Sequence, residues 1–199
     1  MTLGRSNHCG ASLVELLTSM LFVSILSAIS YSFARAALMS ARVQEVKSEA
    51  QEMTVLALDM LVREVRMAGF SAAAAPLTGV RSAAAARIEV ACDLNGDGDV
   101  ADSNELIAYS YDPQTHQLMR ATGGASPQPL VRNVVALHFA FFDADGIELV
   151  PSGEGLPAEH RRRIRRIDVQ LSAELPNPDP LAGRPLASTV ATSVQLRNP

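Results

Sequence analysis

The chain has 199 residues, a formal net charge of −4 and a pI near 5.6, which leaves no electrostatic footprint for nucleic-acid binding. A hydrophobic share of 48% and a mean hydropathy of +0.13 exclude a disordered chain and suit a folded protein with a membrane segment. Two cysteines, Cys9 and Cys92, exclude a disulfide framework. The length allows one globular domain plus an extended segment, or one compact domain alone.

Met1 to Gly10 forms a short polar leader. Leu16 to Ala34 then contains no charged residue, and Arg35 closes the run. This matches the roughly 20 apolar residues that cross a bilayer as a helix. A secretory signal would have a shorter apolar core and a small-residue cleavage site at its far end, so the segment reads as an anchor. Glu15 stands at its edge. A carboxylate costs on the order of 2.5–3.5 kcal/mol at the bilayer centre and less near an interface. It is therefore either a headgroup-level charge or a group retained for a partner.

From Arg35 to Ala68 there is neither proline nor glycine. Met39, Val43, Val46, Ala50, Met53, Ala57 and Met60 recur at alternating steps of four and three, a helical seam. Beyond Met53, Val55, Leu56, Leu58, Leu61, Val62 and Val65 widen the apolar face, as in a helix entering a domain core. Gly69 predicts the stop. A helix from Ala11 to Ala68 would run about 87 Å at 1.5 Å per residue, a length useful to a filament subunit and not to a soluble domain. The boundaries expected are a leader over 1–10, a transmembrane helix over 11–34, its extracytoplasmic continuation over 35–69 and a β-rich domain over 70–199.

Ser71 to Ala86, rich in alanine, reads as a connecting loop or weak helix. The period then becomes two. Ile88 and Val90 share a face, as do Ile107, Tyr109 and Tyr111. A turn at Asp112-Pro113 leads into Gln117 to Ala121 as the second arm of a hairpin. Val135, Leu137, Phe139 and Phe141 alternate with Ala136, His138 and Ala140, and Ile167, Val169, Leu171 and Ala173 form a further strand. Val190, Thr192, Val194 and Leu196 make the last one. The fold class expected is α+β, a long N-terminal helix laid on a C-terminal antiparallel β-sheet domain.

Asp93-Leu94-Asn95-Gly96-Asp97-Gly98-Asp99 reproduces the first half of a calcium loop, with oxygen ligands at alternate positions and glycine at the sixth. The twelfth position, normally a bidentate acid, is Asn104, and Glu105 follows one residue late. Either Asn104 ligates weakly or the loop shifts so that Glu105 reaches. The other reading is a solvated, Asx- and Gly-rich turn without an ion. Calcium is the one cofactor expected. Cys92 reads as a small buried residue near a strand end. His138 reads as a strand surface residue, and His116 and His160 as loop residues. Arg161-Arg162-Arg163 with Arg165-Arg166 reads as the solvated start of a strand, or as a contact to an acidic neighbour. No GxSxG, P-loop, dinucleotide fingerprint, CxxC or HExxH occurs, so no enzyme is expected.

Gly10-Ala11-Ser12-Leu13-Val14-Glu15-Leu16-Leu17 resembles the processing signal of type IV prepilins: a glycine, a cut, a short apolar stretch, then glutamate as the fifth mature residue. The mature chain would begin at Ala11 where most members have Phe or Met, and His8-Cys9 replaces the usual basic residue before the glycine. The helix end Leu58-Asp59-Met60-Leu61-Val62-Arg63-Glu64-Val65-Arg66-Met67-Ala68-Gly69-Phe70 resembles that of PilW-type minor pilins and J-type pseudopilins. So do Pro129 to Phe139 and the ending Val194-Gln195-Leu196-Arg197-Asn198. The resemblance implies cleavage after Gly10 by a prepilin peptidase, methylation of the new Ala11 amine, and pairing of Glu15 with the amine of a neighbouring subunit. It implies a single-pass inner-membrane precursor with its domain in the periplasm, later a minor subunit of a type IV pilus at the cell surface. Its role would be priming of assembly and tip adhesion. The partners implied are other minor and major pilins, the inner-membrane assembly platform and a tip adhesin, and no nucleic acid. A J-type minor pseudopilin of a type II secretion system would share this physics. From other classes, a signal-anchored extracytoplasmic enzyme and a signal-anchored extracytoplasmic calcium-binding module remain as alternatives.

Overall fold

The structure, a computed structural model, describes residues 12–73, 76–180 and 182–197. Gly10, Ala11 and Asn198 lie outside the described residues. The chain falls into two compact units, one up to Gln44 and one from Glu45 onward. Helix α1 runs over Leu13–Arg66, 54 residues. It ends as Gly69 enters the left-handed region at φ 76° and donates its N–H to the Ala91 carbonyl at 2.9 Å.

After α1 the described residues form nine strands and one short helix, the α+β class expected. Strands β1 (Val80–Ala84), β2 (Arg87–Ala91), β3 (Leu106–Asp112), β4 (Gln117–Thr122) and β5 (Gln128–Arg132) form an antiparallel meander. Strands β6 (Val134–Phe142), β7 (Glu148–Leu149), β8 (Arg166–Leu175) and β9 (Leu186–Gln195) form a second sheet in the order β7-β6-β8-β9. Helix α2 (Ala158–Arg161) precedes β8. The sequence suggested one sheet, and there are two. The chain changes sheet at Asn133, whose left-handed φ of 59° turns β5 into β6; asparagine tolerates that region where β-branched residues do not.

Two further expectations are corrected. The alanine-rich stretch up to Ala86 is not simply loop or weak helix: β1 and its turn occupy Val80 to Ala86. Val80 and Ala83 are buried, and pairing with β2 overrides the helix preference of alanine. Val135 does not join the inward face of Leu137, Phe139 and Phe141. The register shifts between Val134 and Ala136, so Val134 is buried and Val135 is 39% exposed. On the other strands the alternation holds, with Ile88, Val90, Ile107, Tyr109, Ile167, Val169, Leu171 and Val194 all buried.

One core collects both sheets and the end of α1. The helix contributes Ala57, Leu58, Leu61 and Val65, while Met53, Val55 and Leu56 stay exposed. Burying each of the larger side chains supplies about 1.5–3 kcal/mol but little direction. Direction comes from Glu64. Its carboxylate accepts the Arg120 guanidinium of β4 through Nε at 3.0 Å and an NH2 group at 2.6 Å, and the Tyr109 hydroxyl of β3 at 2.5 Å. Tyr109 is fully buried, and burial followed by its hydrogen bond to Glu64 pushes its phenol far up. The Glu64 bond also raises Arg120. Gly79 lies beside the helix end, where a Cβ would stand 2.3 Å from the Gly69 nitrogen, so only glycine lets the two backbones cross.

Removing one member of a largely desolvated pair costs about 3 kcal/mol, the low end for buried pairs, because both groups keep some water contact. Glu64→Ala is therefore expected to lower the Tm by roughly 6–12 °C. Arg120→Ala should do nearly as much, and the double variant should fall well short of the sum. Thermal melts of the detergent-solubilised chain check this; additive losses would show that the two residues act independently.

Candidate functional site

Two regions of the described chain bring together groups that the fold alone does not require. The first is the opening half of α1. Every large apolar side chain from Leu13 to Phe33 is exposed, with Phe22 at 71% and Phe33 at 75%. This helix is long and apolar enough to cross a membrane. Four of its hydroxyls are turned back onto its own carbonyls. Thr18 and Ser19 donate to Glu15 O at 3.0 and 2.7 Å, Ser24 to Leu21 O and Ser32 to Ile29 O at 2.8 Å each. Such back-bonding removes the cost of placing a hydroxyl in hydrocarbon. Glu15, in the first turn, has no such remedy: among the described residues nothing pairs with its carboxylate.

The second region is the loop between β2 and β3. Asp93, 2% exposed, uses its carboxylate to hold the chain together, accepting Gly96 N–H at 2.6 Å and the Ser71 hydroxyl at 3.1 Å. Its N–H donates to Phe70 O, and its carbonyl accepts from Ala72 N–H. The loop thus lies against the segment that follows α1. Asn95, Asp97 and Asp99 then form successive Asx turns, each side-chain oxygen accepting the N–H two residues on, at 2.9, 3.0 and 2.8 Å. Gly96 and Gly98, at φ 81° and 88°, permit this winding. The Asn95 amide also donates to Asp97 and Asp102. The Asp99 N–H, then Asn95, hold the Asp97 carboxyl below the usual range.

Glu105 returns beneath the loop. It is 2% exposed, and its Oε1 accepts Leu94 N–H at 2.8 Å and Asn95 N–H at 3.3 Å. Its Oε2 is buried without a hydrogen-bond partner. One carboxylate oxygen from each of Asp97, Asp99 and Glu105 lies within 4.8 Å of the others. Of the six residues singled out in the sequence, these three converge. Asp93 is engaged with backbone and Ser71, Asn95 with its acidic neighbours, and the side chain of Asn104 is exposed and makes no hydrogen bond among the described residues. Beside this cluster Cys92 is buried and free, its Sγ 3.6 Å from the Asn104 carbonyl. Burial, then the Glu105 charge, pushes its thiol up, which makes it a poor nucleophile.

The arginine run is built into the domain more than its charge suggested. Arg161 donates to Leu156 O and Arg165 to two carbonyls, while Arg166 lies 4.0 Å over the Phe142 ring. Arg163 pairs at 2.7 Å with Asp143. The other oxygen of Asp143 accepts Ile147 and Asp145 N–H and so fixes the β6–β7 turn. Sequence reasoning missed Glu64, Arg120 and Asp143, because each partner lies at least 20 residues away and no local pattern links them.

No known family model matches the chain, and no curated protein matches it.

The Ile147 N–H bond, with Arg163, holds the Asp143 carboxyl below the ordinary value. A depressed carboxylate contributes stability above its unfolded value, about 3.9, that is lost as pH falls through the folded value. Asp143→Asn should therefore be less stable than the parent at pH 7. The gap in Tm should shrink below about pH 4 and close in stronger acid. Paired melts across pH 2–7 measure it; a gap constant with pH would assign the loss to shape instead of charge.

Proposed function

We propose that the chain is a minor subunit of a type IV pilus, held in the bacterial inner membrane before assembly and released into the filament after processing at Gly10. The observation that carries this reading is α1 itself: exposed on every side and uncharged from Leu13 to Phe33 apart from Glu15 in its first turn, whose carboxylate has no partner among the described residues. A plain anchor has no use for that carboxylate, which lowers its affinity for lipid. In a filament of parallel helices the cost is removed once a cationic group of a neighbour meets Glu15 in the dry core. Cleavage between Gly10 and Ala11 supplies that cation, because it frees the α-amine of Ala11 and leaves Glu15 as the fifth residue of the mature chain. Met53, Val55 and Leu56, exposed on the helix in the second unit, extend the apolar surface available to neighbours.

In this reading the prepilin peptidase cuts and methylates the precursor, and the inner-membrane platform extracts the mature chain. Other minor and major pilins, and a tip adhesin, then join it through α1 and the β-domain. No step of covalent chemistry is assigned to this chain's own residues. The resemblance of the helix end over Leu58 to Phe70 supports a minor subunit.

Gly10→Val should leave a full-length precursor in the inner membrane of the native host, read by mass spectrometry of the N-terminus. A mature chain that still begins at Ala11 would refute the cleavage site. Glu15→Ala should insert in the membrane at least as well as the parent, while its recovery in sheared pili should fall at least tenfold, about 1.4 kcal/mol of lost partition. Unchanged recovery would remove the pairing role. Deletion that stops protein secretion and leaves pili intact would reassign the subunit to a type II secretion machine.

A further inference from the structure

We propose that Asp97, Asp99 and Glu105 bind one calcium ion, with Glu105 and not Asn104 as the closing ligand, and that the ion ties the two ends of the β2–β3 loop together. The proposal stands apart from the filament reading and does not require it.

A group of exposed acids would not carry this alone. The decisive feature is Glu105. Its residue is 2% exposed, its Oε2 has no hydrogen-bond partner, and an oxygen of its carboxylate lies within 4.8 Å of oxygens from both Asp97 and Asp99. Buried polar oxygens are almost always satisfied, and here the nearest acidic groups carry the same sign of charge. A cation at their centre meets both demands: it supplies the missing partner for Oε2 and cancels the mutual repulsion.

The donor set is oxygen alone, which selects a hard cation over zinc or copper. Two of the three acids are exposed, so water completes the shell. That open, irregular shell suits calcium, which takes six to eight ligands flexibly, better than magnesium, which demands a near-ideal octahedron. The loop departs from the usual twelve-residue spacing for a visible reason. Asp93, which would open such a site, is committed to Ser71 and Gly96 N–H. The winding therefore presents its later acids, and the closing ligand moves one position on, from Asn104 to Glu105. The other oxygen of Glu105 already holds Leu94 and Asn95 N–H, so an ion on Oε2 would lock both ends of the loop through one side chain.

With three carboxylates and no bidentate acid at the twelfth position, the affinity belongs with extracellular modules, on the order of 10⁻⁴–10⁻³ M. At 10 mM calcium the folding equilibrium should shift by roughly 10- to 100-fold, which raises the Tm by about 3–10 °C. The test uses the full chain in non-ionic detergent, stripped with chelator, with calcium chloride, magnesium chloride or sodium chloride added at matched ionic strength and followed by melting and calorimetry. Calcium alone should give the full rise. Glu105→Gln keeps the acceptor for Leu94 and Asn95 and places an amide donor where Oε2 lacks a partner. Its calcium-free Tm should match or exceed that of the parent while its calcium response disappears. Asp97→Asn should lose the response as well, and Asn104→Ala should keep it. The proposal is overturned by an equal rise in all three salts, by an equal rise with magnesium, by a response that survives Glu105→Gln, or by one abolished by Asn104→Ala.

Discussion

The Glu64 carboxylate sets the rotation of α1 about its own axis within the second unit, and much else follows from that angle. Apolar burial holds the helix to the sheets but tolerates rotation, since Met53, Val55 and Leu56 are as hydrophobic as the Leu58, Leu61 and Val65 that are buried. A two-pronged guanidinium contact and a tyrosine hydroxyl tolerate none. Once Glu64 meets Arg120 and Tyr109, Leu61 and Val65 on either side of it must face the core, and the rival apolar stripe must face outward. The same contact joins β3, β4 and α1, so it also fixes where the hairpin of the first sheet sits on the helix.

How much of this was legible follows from the range of each interaction. Helix α1 was readable because its signals are local: an unbroken apolar run, a seam at steps of three and four, and Gly69 at the end. The strand faces were readable for the same reason, since alternation needs only neighbours in sequence. What failed were features decided by distant partners. Alanines up to Ala86 prefer a helix in isolation, yet Ala83 becomes a core residue because β2 lies beside it. The split into two sheets turns on the backbone of Asn133, and the phase of Val135 on a bulge against β8. In the loop, the pattern from Asp93 to Asp99 identified the acids, but only the fold shows that Asp93 is already bonded and that Glu105 is buried with one oxygen unmet.

The arginine run makes a related point about charge read from sequence. Five arginines within six residues suggest an exposed basic patch, but charge density says nothing about where guanidiniums find acceptors. Here four of the five serve carbonyls, one aromatic face and Asp143, all inside the same unit, while Arg162 is exposed. Arginine has five donors in a fixed fork, so it readily braces irregular backbone such as the approach to β8. Without those acceptors the same residues would argue for an acidic partner. With them, that argument loses most of its force.

Three glutamates, compared on one scale, separate what the fold accounts for from what it does not. Placing a carboxylate in a dry setting is unfavourable unless its oxygens are met by donors or opposite charge. Glu64 has both oxygens met from within the chain, so its burial points to nothing outside. Glu105 has one oxygen met by two N–H groups and one met by nothing. The deficit is a single acceptor beside two further negative charges, which a small cation matches. Glu15 has neither oxygen met among the described residues and stands at the edge of a stretch suited to lipid. Its deficit is a whole charge, of a kind that a neighbouring subunit's amine would supply. The fold accounts fully for Glu64 and leaves the deficits at Glu105 and Glu15, to which the two proposals, an ion and a neighbouring chain, are addressed.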